Sequence, residues 1–144
     1  MSSGRRSARR QAVFVLYQQD LLSLSAESAL ERAYDEGPSE YTRRLVLGVG
    51  AQRDRIDGLL ARHLAGWELG RLGILERSIL RVAAYELLAE PDVPEAVVID
   101  QAVELAKRFC SGEAGSLVNG VLGSAASEMS RTTGEPGAEE KDGD

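Results

Sequence analysis

Four arginines stand within the first ten residues, Arg5, Arg6, Arg9 and Arg10, with no acidic residue among them. On a helix, at about 100° per residue, Arg6, Arg10 and Tyr17 fall on one stripe, and Arg5 and Arg9 form a neighbouring pair. Guanidinium forks neutralise phosphate, and a tyrosine or arginine plane can receive an unstacked base. The stripe therefore has the chemistry that single-stranded nucleic acid requires. A solvated arginine face beside a half-buried tyrosine would read the same way. Cations at a helix N-terminus oppose the macrodipole at a cost of about 0.3–1 kcal/mol each at low salt, which an anionic ligand would relieve.

Other reactive residue types give less. A second charged group, Glu76, Arg77 and Arg81, interrupts a very apolar stretch. It fits either the one polar side of a helix or the rim of a partner interface. His63 is the single histidine and has no second histidine or cysteine at metal-ligand spacing. Cys110 is the single cysteine, so no internal disulfide is possible, and it reads as a packed thiol following Phe109. Asp100 and Glu104 share a helix face, but with Lys107 and Arg108 following they read as a solvated charged face. Gly48-Val49-Gly50 lacks the third glycine and the preceding strand of a dinucleotide loop. No catalytic residue, metal site or cofactor is expected.

The elements that would position these groups are helical. Of 144 residues, 43% are hydrophobic, enough to build a core, and only 5% are aromatic. The periodicity predicts a helix over 5–22, with Ala8, Ala12, Val15 and Leu16 recurring at helical spacing and Val13, Leu21 and Leu22 widening the apolar face. A short helix over 26–36 follows, capped by Ser25 and stopped by Gly37-Pro38. Ser39 then caps one long helix whose stripe runs from Leu45 to Leu64. Gly48, Gly50 and Gly58 inside it suggest close approach of a neighbour. A boundary at 66–73 is expected to be anchored by Trp67 and Leu69. Helices over 74–89, 95–109 and 113–129 complete the chain, the first of them apolar over most of its circumference and hence central. Pro94 suits the first turn of its helix, Phe109 is placed on the apolar face, and Asn119-Gly120 lies within the last helix, the glycine allowing close packing.

The formal charge of −6 argues against nucleic-acid binding only if averaged. The basic start is opposed by an acidic end, where Glu135, Glu139, Glu140, Asp142 and Asp144 face one base, Lys141. Residues 131–144 are expected to be a disordered acidic tail. No apolar run approaches the ~20 residues of a membrane span, and no signal-peptide core follows the basic start, so the expected compartment is the cytoplasm.

Four segments in order resemble the NusB family. They are Arg5-Arg6-Ser7-Ala8-Arg9 through Leu16-Tyr17-Gln18, then Leu80-Arg81-Val82-Ala83-Ala84-Tyr85-Glu86-Leu87, then Val93-Pro94 through Ile99-Asp100-Gln101-Ala102-Val103-Glu104-Leu105-Ala106-Lys107, and Leu117-Val118-Asn119-Gly120-Val121-Leu122. The resemblance implies an all-α bundle of about seven helices, one domain over 1–130 with subdomains of about 5–65 and 66–130. It implies a transcription antitermination factor that binds boxA-type RNA of ribosomal leader transcripts with ribosomal protein NusE, within an RNA polymerase antitermination complex. By the same resemblance Arg5, Arg6, Arg9, Arg10, Tyr17 and Arg81 are RNA-binding, and Glu76 and Arg77 are partner-binding. The chain departs from the family at Leu117, where phenylalanine is common, and at Gly115-Ser116, which replaces bulkier residues. Some family members are homodimers, so a protein-only adaptor or homodimeric module is the alternative. NusB-like domains also occur fused to RNA methyltransferases, but 144 residues leave no room for such a domain, so a non-enzyme is expected.

Overall fold

The computed structural model describes residues 2–33 and 37–132, so most of the acidic tail and the end of the second predicted helix lie outside the described residues. Among the described residues there are seven α-helices, one 3-10 turn at Leu69–Arg71 and no strand. The helices are α1 Ser2–Leu22, α2 Ala26–Ala33, α3 Glu40–Ala51, α4 Arg53–Arg62, α5 Ile74–Ala89, α6 Glu95–Phe109 and α7 Gly112–Thr132.

Local chemistry sets the boundaries. The Ser25 hydroxyl accepts from the Ser28 amide at 3.0 Å, and the Ser39 hydroxyl accepts from the Thr42 amide at 3.1 Å. Both satisfy amides that a helix start leaves without partners. Pro94 is the N-cap of α6, in extended backbone, where its missing N–H costs nothing. Asn119 and Gly120 lie inside α7, but a Cβ at Gly120 would meet only open space, so that glycine serves no close packing.

The predicted long helix from Ser39 is two helices, divided at Gln52 (φ −114°, ψ 27°), which caps α3 and opens α4. A continuous apolar stripe does not reveal such a break, because both halves bury the same kind of side chain. Of the three glycines in this stretch only Gly48 serves a close approach: a Cβ there would run into the Tyr85 ring of α5. Trp67 is no anchor, being 56% exposed, whereas Leu69 packs against the core. Leu21 and Leu22 are also exposed rather than extending the apolar face.

The core forms one cluster with α5 at its centre. Helix α5 packs against α1, α3, α4, α6 and α7, and every residue from Ser78 to Glu86 is buried. Full burial around a helix is what its apolar circumference requires. It also buries two charges, Arg81 and Glu86, which need partners in the low-dielectric interior. Both find them on α1: Arg9 meets Glu86, and Asp20 meets Arg81. Residues rising along α1 thus meet residues falling along α5, so the two helices run antiparallel and are pinned by two ion pairs, eleven residues apart on α1 and five apart on α5.

Candidate nucleic-acid interface

The four N-terminal arginines occupy four different environments. Arg9 is buried, and its Nε donates to both Glu86 carboxylate oxygens at 2.7 and 2.9 Å. Tyr41 donates to the same carboxylate at 2.5 Å, and burial together with that hydrogen bond raises its phenol well above the usual range. Arg5 sits at the rim. It donates to Asp92 at 3.1 Å, and its guanidinium lies 4.8 Å from the Tyr41 ring centre; Arg44 likewise lies 5.3 Å from the same ring and pairs with Glu90. The hydrogen bond to Asp92 raises the Arg5 guanidinium and lowers the Asp92 carboxyl, so both stay ionised.

Arg6 and Arg10 remain. Neither has a hydrogen-bond or ion-pair partner among the described residues, and together they line a narrow groove between α1 and α6 with Gln101, Glu104, Leu105 and Arg108. A wider cleft of about 480 Å³ continues from it, lined by Asp100, Val103, Glu104, Lys107, Arg108 and Asn119. One turn beyond Arg10 on α1, Phe14 meets Phe109 edge-on, with ring centres 5.1 Å apart, and the Arg108 guanidinium lies 5.1 Å from the Phe109 ring centre. Phe109 is 38% exposed, so it is not the core residue its spacing suggested. Tyr17 is half-buried further along α1 and has no polar partner among the described residues. Free cations followed by partly exposed rings can hold a phosphate backbone and receive splayed bases.

Sequence reading did not place Phe14, Lys107, Arg108 or Phe109 in this site. The Arg108-Phe109 dipeptide was a local signal, but its packing against α1 is a long-range contact that helical periodicity does not encode.

The remaining expected site residues serve the frame. Arg81 is buried, donating to both Asp57 oxygens at 2.9 and 3.0 Å and to Asp20 at 3.2 Å. Arg77 donates to the Leu72 and Gly70 carbonyls at 2.8 and 3.3 Å and lies 3.7 Å from Asp20. The Glu76 carboxylate accepts from the Gly73 amide at 3.2 Å, closing the first turn of α5. Glu76 and Arg77 therefore shape the turn ahead of α5, while Arg81 fastens α5 to α1 and α4.

His63 does approach a carboxylate. Its Nε2 is 2.6 Å from Glu128, and its Nδ1 is 2.8 Å from the Ser124 hydroxyl. Arg62 also donates to Glu128, at 2.6 and 3.1 Å, and with His63 holds that carboxyl down at about 2. Ser124 lies inside α7, where neighbouring amides are committed to helical hydrogen bonds and supply no oxyanion hole. The arrangement clamps α4 to α7. Burial, with help from Glu76, raises the Cys110 thiol and so disfavours the thiolate a nucleophile needs. No group of three His, Cys, Asp or Glu among the described residues could hold a metal ion. No helix among them is long and apolar enough to cross a membrane.

The NusB family model matches residues 6–127. The chain belongs to the NusB family. It is 43% identical over 137 residues to the transcription antitermination protein NusB of Rubrobacter xylanophilus, covering 92% of this chain and 99% of that one. Its fold superposes on T. maritima NusB with a TM-score of 0.80 at 37% identity, covering 86% of this chain and 91% of the other. A crystal structure of antitermination factors NusB and NusE in complex with dsRNA matches with a TM-score of 0.80 at 28% identity, over 89% and 99% of the two chains. The NusB fold thus accounts for the all-α architecture, and Arg6, Arg9 and Arg10 of α1 fall inside the span matched by the family model, with Arg5 just ahead of it.

Proposed function

We propose that this chain is a transcription antitermination factor that binds a boxA-type single-stranded RNA together with ribosomal protein NusE, as part of an RNA polymerase antitermination complex. The observation that carries the RNA surface is the groove in which Arg6 and Arg10 stand without protein partners beside Arg108, Lys107 and the Phe14–Phe109 pair. Phosphates bind Arg6, Arg10, Lys107 and Arg108, and unstacked bases lie against Phe109 and Tyr17. Arg5 flanks the groove and exchanges Asp92 for phosphate, while Arg9 and Arg81 act from inside by fixing α1 on α5. The chain does this by binding, with no reaction catalysed and no cofactor.

Glu76 and Arg77 belong to the NusE-facing side of this reading, through the turn they hold ahead of α5. Leu21 and Leu22, just beyond Asp20 on α1, are 52% and 45% exposed and add apolar surface at the same end. The division into subdomains of about 5–65 and 66–130 is part of the same reading, with α5 as the shared element. Bringing NusE beside the groove enlarges the RNA surface, so binding is cooperative.

The test is binding of a labelled boxA-like single strand across a salt series, with and without NusE. A scrambled strand and a duplex of the same sequence serve as controls. Selective binding that strengthens with NusE and weakens with salt is the expected result. Equal affinity for the scrambled strand even with NusE present would overturn it in favour of a protein-only adaptor.

A further inference from the structure

Glu104 is out of place in a phosphate groove. It is exposed on α6 and lines both the narrow groove, with Arg6 and Arg10, and the wider cleft, with Lys107 and Asn119. It therefore forms the ridge between the two. Cations from α1 and from its own helix line the same two grooves, yet it makes no ion pair within 4.0 Å among the described residues. Lys107 and Arg108 stand at the i+3 and i+4 positions, the order in which an acid and a base ordinarily pair along a helix. Arg108 is instead held over the Phe109 ring. The carboxylate thus keeps its acceptor positions free between Arg6 and Arg10 of the narrow groove and Lys107 of the wider cleft, where Asp100 is a second acid.

A carboxylate there repels phosphate and lowers general affinity for RNA. It becomes favourable only opposite a hydrogen-bond donor. Nucleic acid offers such donors on base edges, in the exocyclic amino groups, and glutamate is a recognised acceptor from cytosine N4. Uracil presents a carbonyl oxygen at the same place, which an acceptor-only group repels. Gln101, three residues earlier in the same groove, both donates and accepts, so it tolerates either base.

We infer that Glu104 is a specificity determinant: it accepts a hydrogen bond from the exocyclic N4 amino group of one cytosine laid across the α1–α6 groove, and so selects cytosine over uracil at that position. The inference rests on the RNA-binding reading, and concerns which bases are chosen rather than whether RNA binds.

The experiment uses the full chain, with and without NusE, against a boxA-like single strand in which each cytosine is replaced in turn by uracil. The wild type should lose about tenfold in affinity at one position. Glu104→Gln and Glu104→Ala should reduce that loss to about twofold or less, while affinity for the unsubstituted strand falls less than for an Arg6→Ala/Arg10→Ala variant and the salt slope stays unchanged. Glu104 is exposed, so thermal unfolding should match the wild type. Unaltered cytosine-to-uracil discrimination in both variants would make Glu104 a rim charge and overturn the inference while leaving RNA binding intact. RNA binding without preference at any cytosine would do the same. Failure of the wild type to bind any RNA would sink the functional reading itself.

Discussion

Replacing Arg9 by alanine separates its role from that of Arg6 and Arg10. The Arg9 and Glu86 side chains are only 6% and 1% exposed, and the Arg9 Nε donates to both carboxylate oxygens. Alanine would leave Glu86 charged in the core with Tyr41 as its one remaining side-chain partner. Breaking one side of a buried ion pair costs about 3–5 kcal/mol. At about 2–4 °C per kcal/mol for a chain of this size, the melting temperature should fall by roughly 6–20 °C. Thermal unfolding followed by circular dichroism measures this, and RNA affinity measured well below the melting point should change by no more than about twofold, since the removed group faces inward. A triple replacement, Arg9→Met, Glu86→Leu and Tyr41→Phe, should recover most of the loss, because a buried ion pair exchanged for packed apolar groups is often neutral or better. A melting temperature that moves by less than about 3 °C while RNA affinity falls tenfold or more would refute the reasoning and return Arg9 to the RNA surface.

Three further outcomes are expected. Arg6→Ala/Arg10→Ala should melt like the wild type and reduce the single-strand salt slope by about 1.4, so its affinity gap to the wild type narrows about sevenfold between 50 and 200 mM salt; parallel salt lines would remove both residues from the phosphate path. Gly48→Ala should destabilise the fold by about 1–3 kcal/mol, because its Cβ enters space held by the Tyr85 ring; denaturant unfolding reads it, and Gly120→Ala, in open space, is the control. The Glu128 carboxyl is lowered from 4.5 to about 2 by Arg62 and His63. Its clamp therefore contributes fully above the unfolded carboxylate value and is lost as pH falls from about 4.5 towards 2. Melting curves of wild type and Glu128→Gln should differ at pH 6 and converge near pH 2, and a constant difference would contradict the assignment.

Helix identity and the central place of α5 were legible because they are local or compositional. The 3.6-residue period, Ser25 and Ser39 at helix starts, and Pro94 ahead of α6 act within a few residues. The bounds of α5 and α6 match those read from the pattern. Segments matching the NusB family were legible for the same reason. The break at Gln52 was not, since apolar periodicity continues through it, and neither was the exposure of Trp67, because an apolar residue in a loop carries no sign of which way it points.

The sequence by itself determined that four arginines and Tyr17 ride on one amphipathic helix. Only the tertiary structure decided their separate fates. A residue's partners lie tens of positions away, at Glu86 for Arg9, at Asp92 for Arg5, and at Gln101 and Arg108 for the groove that takes Arg6 and Arg10. Helical spacing fixes which side chains share a stripe. Burial and charge pairing, which fix whether a cation is spent on the fold or left for a ligand, depend on which helix covers that stripe.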